Sequence, residues 1–377
     1  MKIQNLSLKL INGLSRKKPP EAFSLKPLKL MVTLWPSFDH FSKFAYDDRL
    51  FGIRLNSAMI NNPELDKTLK EIAKFGPTVP LYFDAKARQP RISWIDNNIK
   101  DHLEMRLNHP ISANTPTMVL FKAGADAAEL ARLEEDGQRL IFNGGPDYQV
   151  YPGESIHILD DSFEIKGPLF TDQEKEKLEK VRLAGFKNYF LSYVECQRDI
   201  DEFRELIGKD ALIMLKIESR RGMDFVANGF KKSDDLILVA ARGDLYIELE
   251  WKHQIVKALE LIIQKDPSAC VASRLLLSVV SKHRNRKIDE ALRLIRSDAF
   301  KQADTERKVE TVLMSIVNRD IPSCADFCEL AWLYDLGYRN MMLCDELCLY
   351  DYLLDTAVAA FDAFRQDREK KYSIKTP

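Results

Sequence analysis

Short apolar runs bounded by polar or turn-forming residues recur along most of this chain: KLMVTL (29–34), FGIRLN (51–56), TVPLYFDAK (78–86), NYFLSYV (188–194), ALIMLKIE (211–218), DLILVAAR (235–242), SACVASRL (268–275) and RNMMLCDE (339–346). Their apolar residues are continuous rather than alternating, which predicts strands of a parallel sheet covered on its outer face. Most runs precede a stretch with helical period, such as PELDKTLKEIAKF (63–75), RDIDEFRELIG (198–208), WKHQIVKALELIIQK (251–265) and YDYLLDTAVAAFDAFRQ (350–366). Eight strands alternating with helices predict the α/β class and a (β/α)8 barrel, the TIM barrel.

Two segments interrupt the alternation. Residues 92–166 contain NTPTMVLF, GQRLIFNGG and ESIHILDDSFEI, which read as β hairpins with Gly, Pro and Asn turns. They predict a small β domain inserted after the third strand, over one end of the barrel. Residues 281–318 are charged and helix-periodic and predict an extra helical insertion between the seventh and eighth strands. The barrel is therefore assigned to 28–91 and 167–377, and residues 1–27 to an N-terminal arm or helix. Neither a solenoid repeat nor a low-complexity tract is visible.

Chemistry in such barrels sits at the carboxyl ends of the strands. Those ends carry Arg54 and Asn56, Asp84 and Lys86, Lys216 and Glu218, Arg242 and Asp244, Ser273 and Arg274, and Asp345 and Glu346. Glu218 and Asp244 end neighbouring strands and are placed to share one hard cation, Mg²⁺ or Mn²⁺, which one or two carboxylates hold with water and substrate oxygens. Lys216 precedes Glu218 by two residues, so both side chains leave the strand on one face. An ammonium beside a metal, with Arg54 opposite, suits an oxyanion or a transferring phosphoryl group. Taken singly, a Lys-x-Glu is more often an ordinary ion pair and an Arg-Gly-Asp more often a turn. The whole set of charges in one mouth favours a ligand.

Charge and composition narrow the partners. With a formal net charge of -1 there is no global field for nucleic acid or an anionic membrane. The amino terminus lacks an apolar core of signal-peptide length, and no window approaches the roughly 18 apolar residues of a membrane span. Six scattered cysteines fit a reducing, cytoplasmic compartment. Cys324, Cys328, Cys344 and Cys348 form two C-x3-C pairs, whose spacing is wrong for zinc; buried thiols are expected. None of the six histidines shows paired metal spacing or falls at a predicted strand end. The Gly144-Gly145-Pro146 run reads as a turn, since no helix follows it.

The stretches MLKIESRRGMDF and LVAARGDLYIELEWKHQIVKALELI resemble the pyruvate kinase family, whose fifth and sixth strands carry a Lys-Ile-Glu and an Ala-Arg-Gly-Asp-Leu motif. In chain order VTLWPSF, IRLNSAM, FDAKARQPR, VASRLLLSVV and MLCDEL resemble that family's other strand-end motifs, over roughly residues 28–366. The resemblance implies that Glu218 and Asp244 hold the divalent metal and that Lys216 stabilises the phosphoryl group in flight. Arg54 and Arg91 would contact phosphate. The amides around Arg242, Gly243 and Asp244 would hold the carboxylate of phosphoenolpyruvate or pyruvate. Ser273 keeps a hydroxyl at the end of the seventh strand, and Glu346 matches the acidic residue of the last.

Departures cluster on one side. The family's K⁺ site would retain Asn56 and Asp84, but a serine ligand is replaced by Ala58. Trp35, Met59 and Tyr246 stand where the family has glycine, histidine and glycine, the first two on the nucleotide side. Neither a counterpart of the family's carboxyl-terminal domain after the eighth helix nor its effector control is expected. The resemblance implies Mg²⁺-dependent phosphoryl transfer between phosphoenolpyruvate, or a similar enol phosphate, and an acceptor, ADP by default. A metal-dependent lyase or aldolase acting through a pyruvate enolate, and a non-catalytic metabolite binder, stay open. The expected partners are small molecules, among them a nucleotide, without nucleic acid or membrane; a homo-oligomer is open.

Overall fold

The computed structural model describes residues 27–59, 62–96, 103–281, 293, 295–310 and 321–373. Eight parallel strands close into a barrel: β1 (Lys29–Thr33), β2 (Leu50–Asn56), β3 (Leu81–Ala85), β12 (Asn188–Leu191), β13 (Leu212–Ile217), β14 (Leu236–Ala241), β15 (Cys270–Ala272) and β16 (Asn340–Met342). Each pairs with its sequence neighbour within the barrel, β3 with β12 and β16 back onto β1. This is the (β/α)8 architecture predicted from the apolar runs.

The continuous runs have apolar residues on both faces because both faces are buried. Outward residues such as Ile213, Leu215 and Leu238 pack under the helices in the main core. Inward residues from successive strands, including Met31, Tyr82, Phe190, Met214, Val239, Cys270 and Met342, fill the barrel lumen. On β2 the lumen position is Gly52, where a Cβ would lie 2.6 Å from Met31 and 2.7 Å from Tyr82. Its missing side chain is what lets those two meet.

Helix starts are fixed locally. Thr171 caps the helix Asp172–Leu183 in a capping box with Glu174, and Ser323 does the same with Asp326 for Cys324–Leu336. The Ser219 hydroxyl accepts from the Gly222 amide at the start of Arg220–Asn228, directly after β13.

Between β3 and β12 the chain leaves the barrel and builds an antiparallel sheet in the order β10-β7-β8-β9-β5-β4. Its strands are β4 (Ile92–Asp96), β5 (Glu104–Leu107), β7 (Thr117–Phe121), β8 (Asp126–Glu134), β9 (Arg139–Asn143) and β10 (His157–Ile158). A small pair, β6 (Ile111–Ser112) with β11 (Glu164–Ile165), lies beside it. The sheet has its own apolar core, including Met105, Val119, Leu130, Leu140 and Phe142. Its longest strand, DAAELARLE, consists largely of strong helix formers. Pairing on both sides, with Ala128 and Leu130 buried alternately, overrides that preference.

The sheet is tied to the barrel mouth. Arg220 and Arg221, in the first turn after β13, donate to the carbonyls of Leu159 and Phe163 at 3.0 and 3.1 Å. His109 Nε2 lies 3.1 Å from the carbonyl oxygen of Ala87.

Of the helical insertion foreseen over 281–318, the helix Asp298–Gln302 and helical residues 305–310 are described; residues 282–292, 294 and 311–320 lie outside the described residues, as do residues 1–26 of the N-terminal arm. The cysteine expectation needs correction: Cys344 and Cys348 are buried, but Cys324 and Cys328 are exposed on the first turns of their helix, with sulfurs 3.9 Å apart. That helix turns its amino-terminal end outward, so spacing alone misjudged its face. Among the described residues no helix is long and apolar enough to cross a membrane.

Candidate active site

The site is built around one buried carboxylate. Asp84, at the end of β3, has no exposed surface. It accepts from Arg54 Nε at 2.8 Å, Lys86 Nζ at 2.7 Å and the Ser192 hydroxyl at 3.3 Å, with Lys216 Nζ 3.7 Å away. Burial alone would raise its pKa, but Lys216, Lys86 and Arg54 together hold it well below the usual carboxylate range. Lys86 shows the other side of that balance. Burial pushes its pKa down to about 7, against the pull of Asp84, because Lys216 and Arg54 crowd the same carboxylate.

Lys216 stands between two acids. Its Nζ lies 3.0 Å from Glu218 Oε1 and donates to the Ser192 hydroxyl at 2.9 Å. Burial works against the charge, but Asp84 and Glu218 outweigh it and its pKa is raised, so the group is an ammonium at neutral pH. The two-residue offset on β13 delivers both side chains to the mouth, as a strand's alternation requires.

Glu218 is fully buried, and its second oxygen accepts from the Tyr193 amide at 2.8 Å. That amide is aimed by a left-handed turn at Tyr193, where φ is +54°. Asp244 lies in the first turn of the short helix Arg242–Glu248, close enough to Glu218 for the two carboxyls to influence each other. Burial and, in opposition to Lys216, the neighbouring Asp244 leave the Glu218 pKa raised, whereas Asp244 is lowered chiefly by His157 against its own burial. Two neighbouring carboxyls, the charge of one raising the pKa of the other, form a donor set whose mutual repulsion a divalent cation would relieve. The residues present therefore fit Mg²⁺ or Mn²⁺, which Glu218 and Asp244 would hold.

Gly243 and Ser273 approach closely. A Cβ on Gly243 would lie 2.9 Å from Ser273 Oγ. Ser273 has a left-handed φ of +71°, and its carbonyl accepts from Arg242 Nε at 3.0 Å and Nη2 at 2.6 Å. Arg242 also pairs with Glu329 at 2.5 Å. Its side chain is thus spent on structure, which fixes the turn carrying Gly243 and Asp244.

Arg54 Nη1 donates to the Thr33 hydroxyl at 3.1 Å and to Asp345 Oδ1 at 2.7 Å. Asn56 Nδ2 donates to Asp345 Oδ2 at 2.8 Å. The acidic residue of the last strand end that meets the site is therefore Asp345, while Glu346 is exposed. Of the oxygens suggested for K⁺, Asn56 Oδ1 accepts from the Ala58 amide at 3.2 Å, and Asp84 is engaged by the three cations described above. Arg91 is bound to the carbonyl of Gly153 and the side chain of Gln89, still close enough to be drawn by Asp244, Asp84 and Glu218.

Just beyond β1, buried Trp35 donates its indole N–H to the Asn56 carbonyl at 3.2 Å. Tyr246 is partly exposed, with Lys252 and Arg274 over its ring at 5.6 and 5.4 Å. The side chain of Met59 lies outside the described residues.

Sequence reasoning missed three contributors. His157 comes from β10 of the inserted sheet: Nδ1 lies 2.9 Å from Glu248 Oε1, and Nε2 faces Asp244 Oδ1 at 3.4 Å. Tyr193 donates its hydroxyl to the same Glu248 oxygen at 3.2 Å. Ser192 links Asp84 to Lys216. The only advance signal was the apolar run ending in LSYV at the fourth barrel strand; nothing in the sequence places His157 over that mouth.

No family model matches the chain. Two curated proteins are similar to it. A pyruvate kinase of Thermoplasma acidophilum is 23% identical over 274 residues, covering 67% of this chain and 49% of that protein. A pyruvate kinase of Encephalitozoon cuniculi is 27% identical over 139 residues, covering 37% of this chain and 31% of that protein. The matches span about half the length of these relatives or less. They support a pyruvate-kinase-like relationship at a coarse level.

Proposed function

We propose that the barrel mouth carries out phosphoryl transfer between phosphoenolpyruvate, or a similar enol phosphate of a 2-oxo acid, and an acceptor, with ADP as the first acceptor to try. The observation that carries this reading is Lys216, a buried ammonium held between Asp84 and Glu218 and adjacent to the Glu218–Asp244 carboxyl pair. A site that only bound a carboxylate would have no use for a cation fixed beside a metal-competent acid pair.

In this reading Lys216 meets the charge that spreads over the phosphoryl oxygens during transfer, and Arg54 contacts the same group. Positioning and charge supply most of the rate in such reactions, with little covalent work by the protein. The backbone amides of Arg242, Gly243 and Asp244 would hold the substrate carboxylate, which explains why the turn is braced by Arg242 on the Ser273 carbonyl. Ser273 offers a hydroxyl at the same place. A divalent cation on Glu218 and Asp244 would supply charge neutralisation between phosphate and carboxylate oxygens. Soluble action in the cytoplasm and the division into barrel and inserted sheet belong to the same proposal.

One observation favours a second reading. Asp345 occupies the Arg54 and Asn56 donors that a phosphoryl group would use. An enolate-forming lyase needs the metal pair and Lys216 but no phosphate on Arg54.

Phosphorus NMR separates the two. Phosphoenolpyruvate with Mg²⁺ is incubated with the protein and ADP, other nucleoside diphosphates, or no acceptor. Loss of phosphoenolpyruvate matched by a new nucleotide phosphate signal supports transfer. An unchanged phosphoenolpyruvate signal with every acceptor removes it and moves the lyase forward.

A further inference from the structure

Buried histidine nitrogens are normally both satisfied, and His157 is satisfied at only one. The ring is 2% exposed. Nδ1 lies 2.9 Å from Glu248 Oε1, an oxygen that the Tyr193 hydroxyl also reaches. Nε2 is buried without a hydrogen-bond partner, since Asp244 Oδ1 at 3.4 Å is too distant for a good one.

That arrangement is how metal-bound histidines are prepared. A carboxylate accepts the N–H of one ring nitrogen, fixing the tautomer and the ring plane, and the other nitrogen gives its lone pair to the cation, which displaces any proton there. Here the carboxylate is Glu248, itself buried and oriented by Tyr193. Nε2 and Asp244 Oδ1, 3.4 Å apart, are near enough to meet one cation after a small adjustment. Asp244 is the common member of two pairs, neighbouring Glu218 and facing His157. No three His, Cys, Asp or Glu side chains among the described residues form a ready-made metal cage, so the third ligand would be recruited when the cation arrives.

We infer that His157, carried on the inserted sheet, is a ligand of the divalent cation held by Glu218 and Asp244. This rests on the metal position proposed above and adds a ligand to it. Two consequences follow from the chemistry. An imidazole nitrogen shifts preference from Mg²⁺ toward Mn²⁺, Co²⁺ or Zn²⁺. The cation would also bridge the sheet to the barrel, because its ligands come from both.

The test uses metal-free full-length chain titrated with Mn²⁺ and read by pulsed EPR, once with natural histidine and once with ¹⁵N-histidine. The expected result is modulation from a directly bound ¹⁴N that changes to the ¹⁵N pattern on labelling. It should be lost in His157→Gln, with Mn²⁺ affinity falling by about tenfold or more, the scale seen when a site's supporting groups are removed. Asp244→Asn should weaken Mn²⁺ binding as well. Tight Mn²⁺ binding without a histidine nitrogen overturns the inference yet leaves the Glu218–Asp244 position intact. Nitrogen coupling that survives in His157→Gln, or Mn²⁺ affinity unchanged in Asp244→Asn, also overturns it, by locating the metal elsewhere. Failure of Mn²⁺ to bind overturns both readings. Should His157→Gln not fold, the labelled unsubstituted protein and Asp244→Asn still decide.

Discussion

Asp345 Oδ1 lies 2.7 Å from Arg54 Nη1, so the arginine that faces the barrel mouth is paired with a carboxylate from the last strand end. Its other oxygen takes Asn56 at 2.8 Å. An anionic substrate must therefore displace Asp345 or share Arg54 with it. Asp345→Asn removes the competing charge but keeps the shape. It is expected to tighten phosphoenolpyruvate or inorganic phosphate binding by about tenfold, the scale of one hydrogen bond to a charged group. Titration calorimetry of both proteins reads this directly; equal affinity would mean that Asp345 does not compete.

Lys216→Met keeps much of the side-chain volume and removes the ammonium. Turnover should drop by at least about 10²–10³-fold, as for loss of one group that stabilises transition-state charge. Mn²⁺ binding should persist, because Glu218 and Asp244 remain. Normal turnover in the variant would end the role given to Lys216.

The contact between Gly243 and Ser273 makes a reciprocal prediction. Gly243→Ala forces a Cβ to within 2.9 Å of Ser273 Oγ and should destabilise the fold by about 1–3 kcal/mol, the usual range for overpacking. Ser273→Ala removes the obstructing oxygen, so the double variant should regain most of that loss. Chemical denaturation of the four proteins gives the cycle; additive losses would show that the two residues do not meet.

His157 links sheet and barrel electrostatically when no metal is bound. Burial lowers its pKa, but Asp244 and Glu248 outweigh that and raise it from 6.5 to about 9. A raised folded-state pKa stabilises the protein fully below the unfolded value of 6.5 and loses that contribution as pH rises through about 9. At roughly 1.4 kcal/mol per unit the contribution is at most about 3–4 kcal/mol. In chelator, His157→Gln should be clearly less stable than the unsubstituted protein at pH 6, with the gap closing above pH 9. A gap that is constant with pH would assign His157 to packing alone.

The sequence by itself determined the barrel, because strands buried on both faces must be continuously apolar and a strand's alternation sends Lys216 and Glu218 to the same side. It also placed Arg54, Asp84, Asp244 and Ser273 at strand ends, since a run such as LVAARGDL changes from apolar to charged where the strand leaves the lumen. Tertiary structure decided what these ends do to one another. Whether Asp345 or Glu346 turns inward depends on the first turn of a four-residue helix, Asp345–Cys348, which strand periodicity does not reach. Asp126–Glu134 became a strand because two neighbours pair with it, against the helical preference of its alanines, leucines and glutamates. His157 reached Asp244 only through docking of the inserted sheet on the mouth, a contact between residues 87 positions apart that no local pattern encodes. Local periodicity fixes which face a side chain takes; the charges it meets there are set by closure of the barrel and by the sheet laid over its mouth.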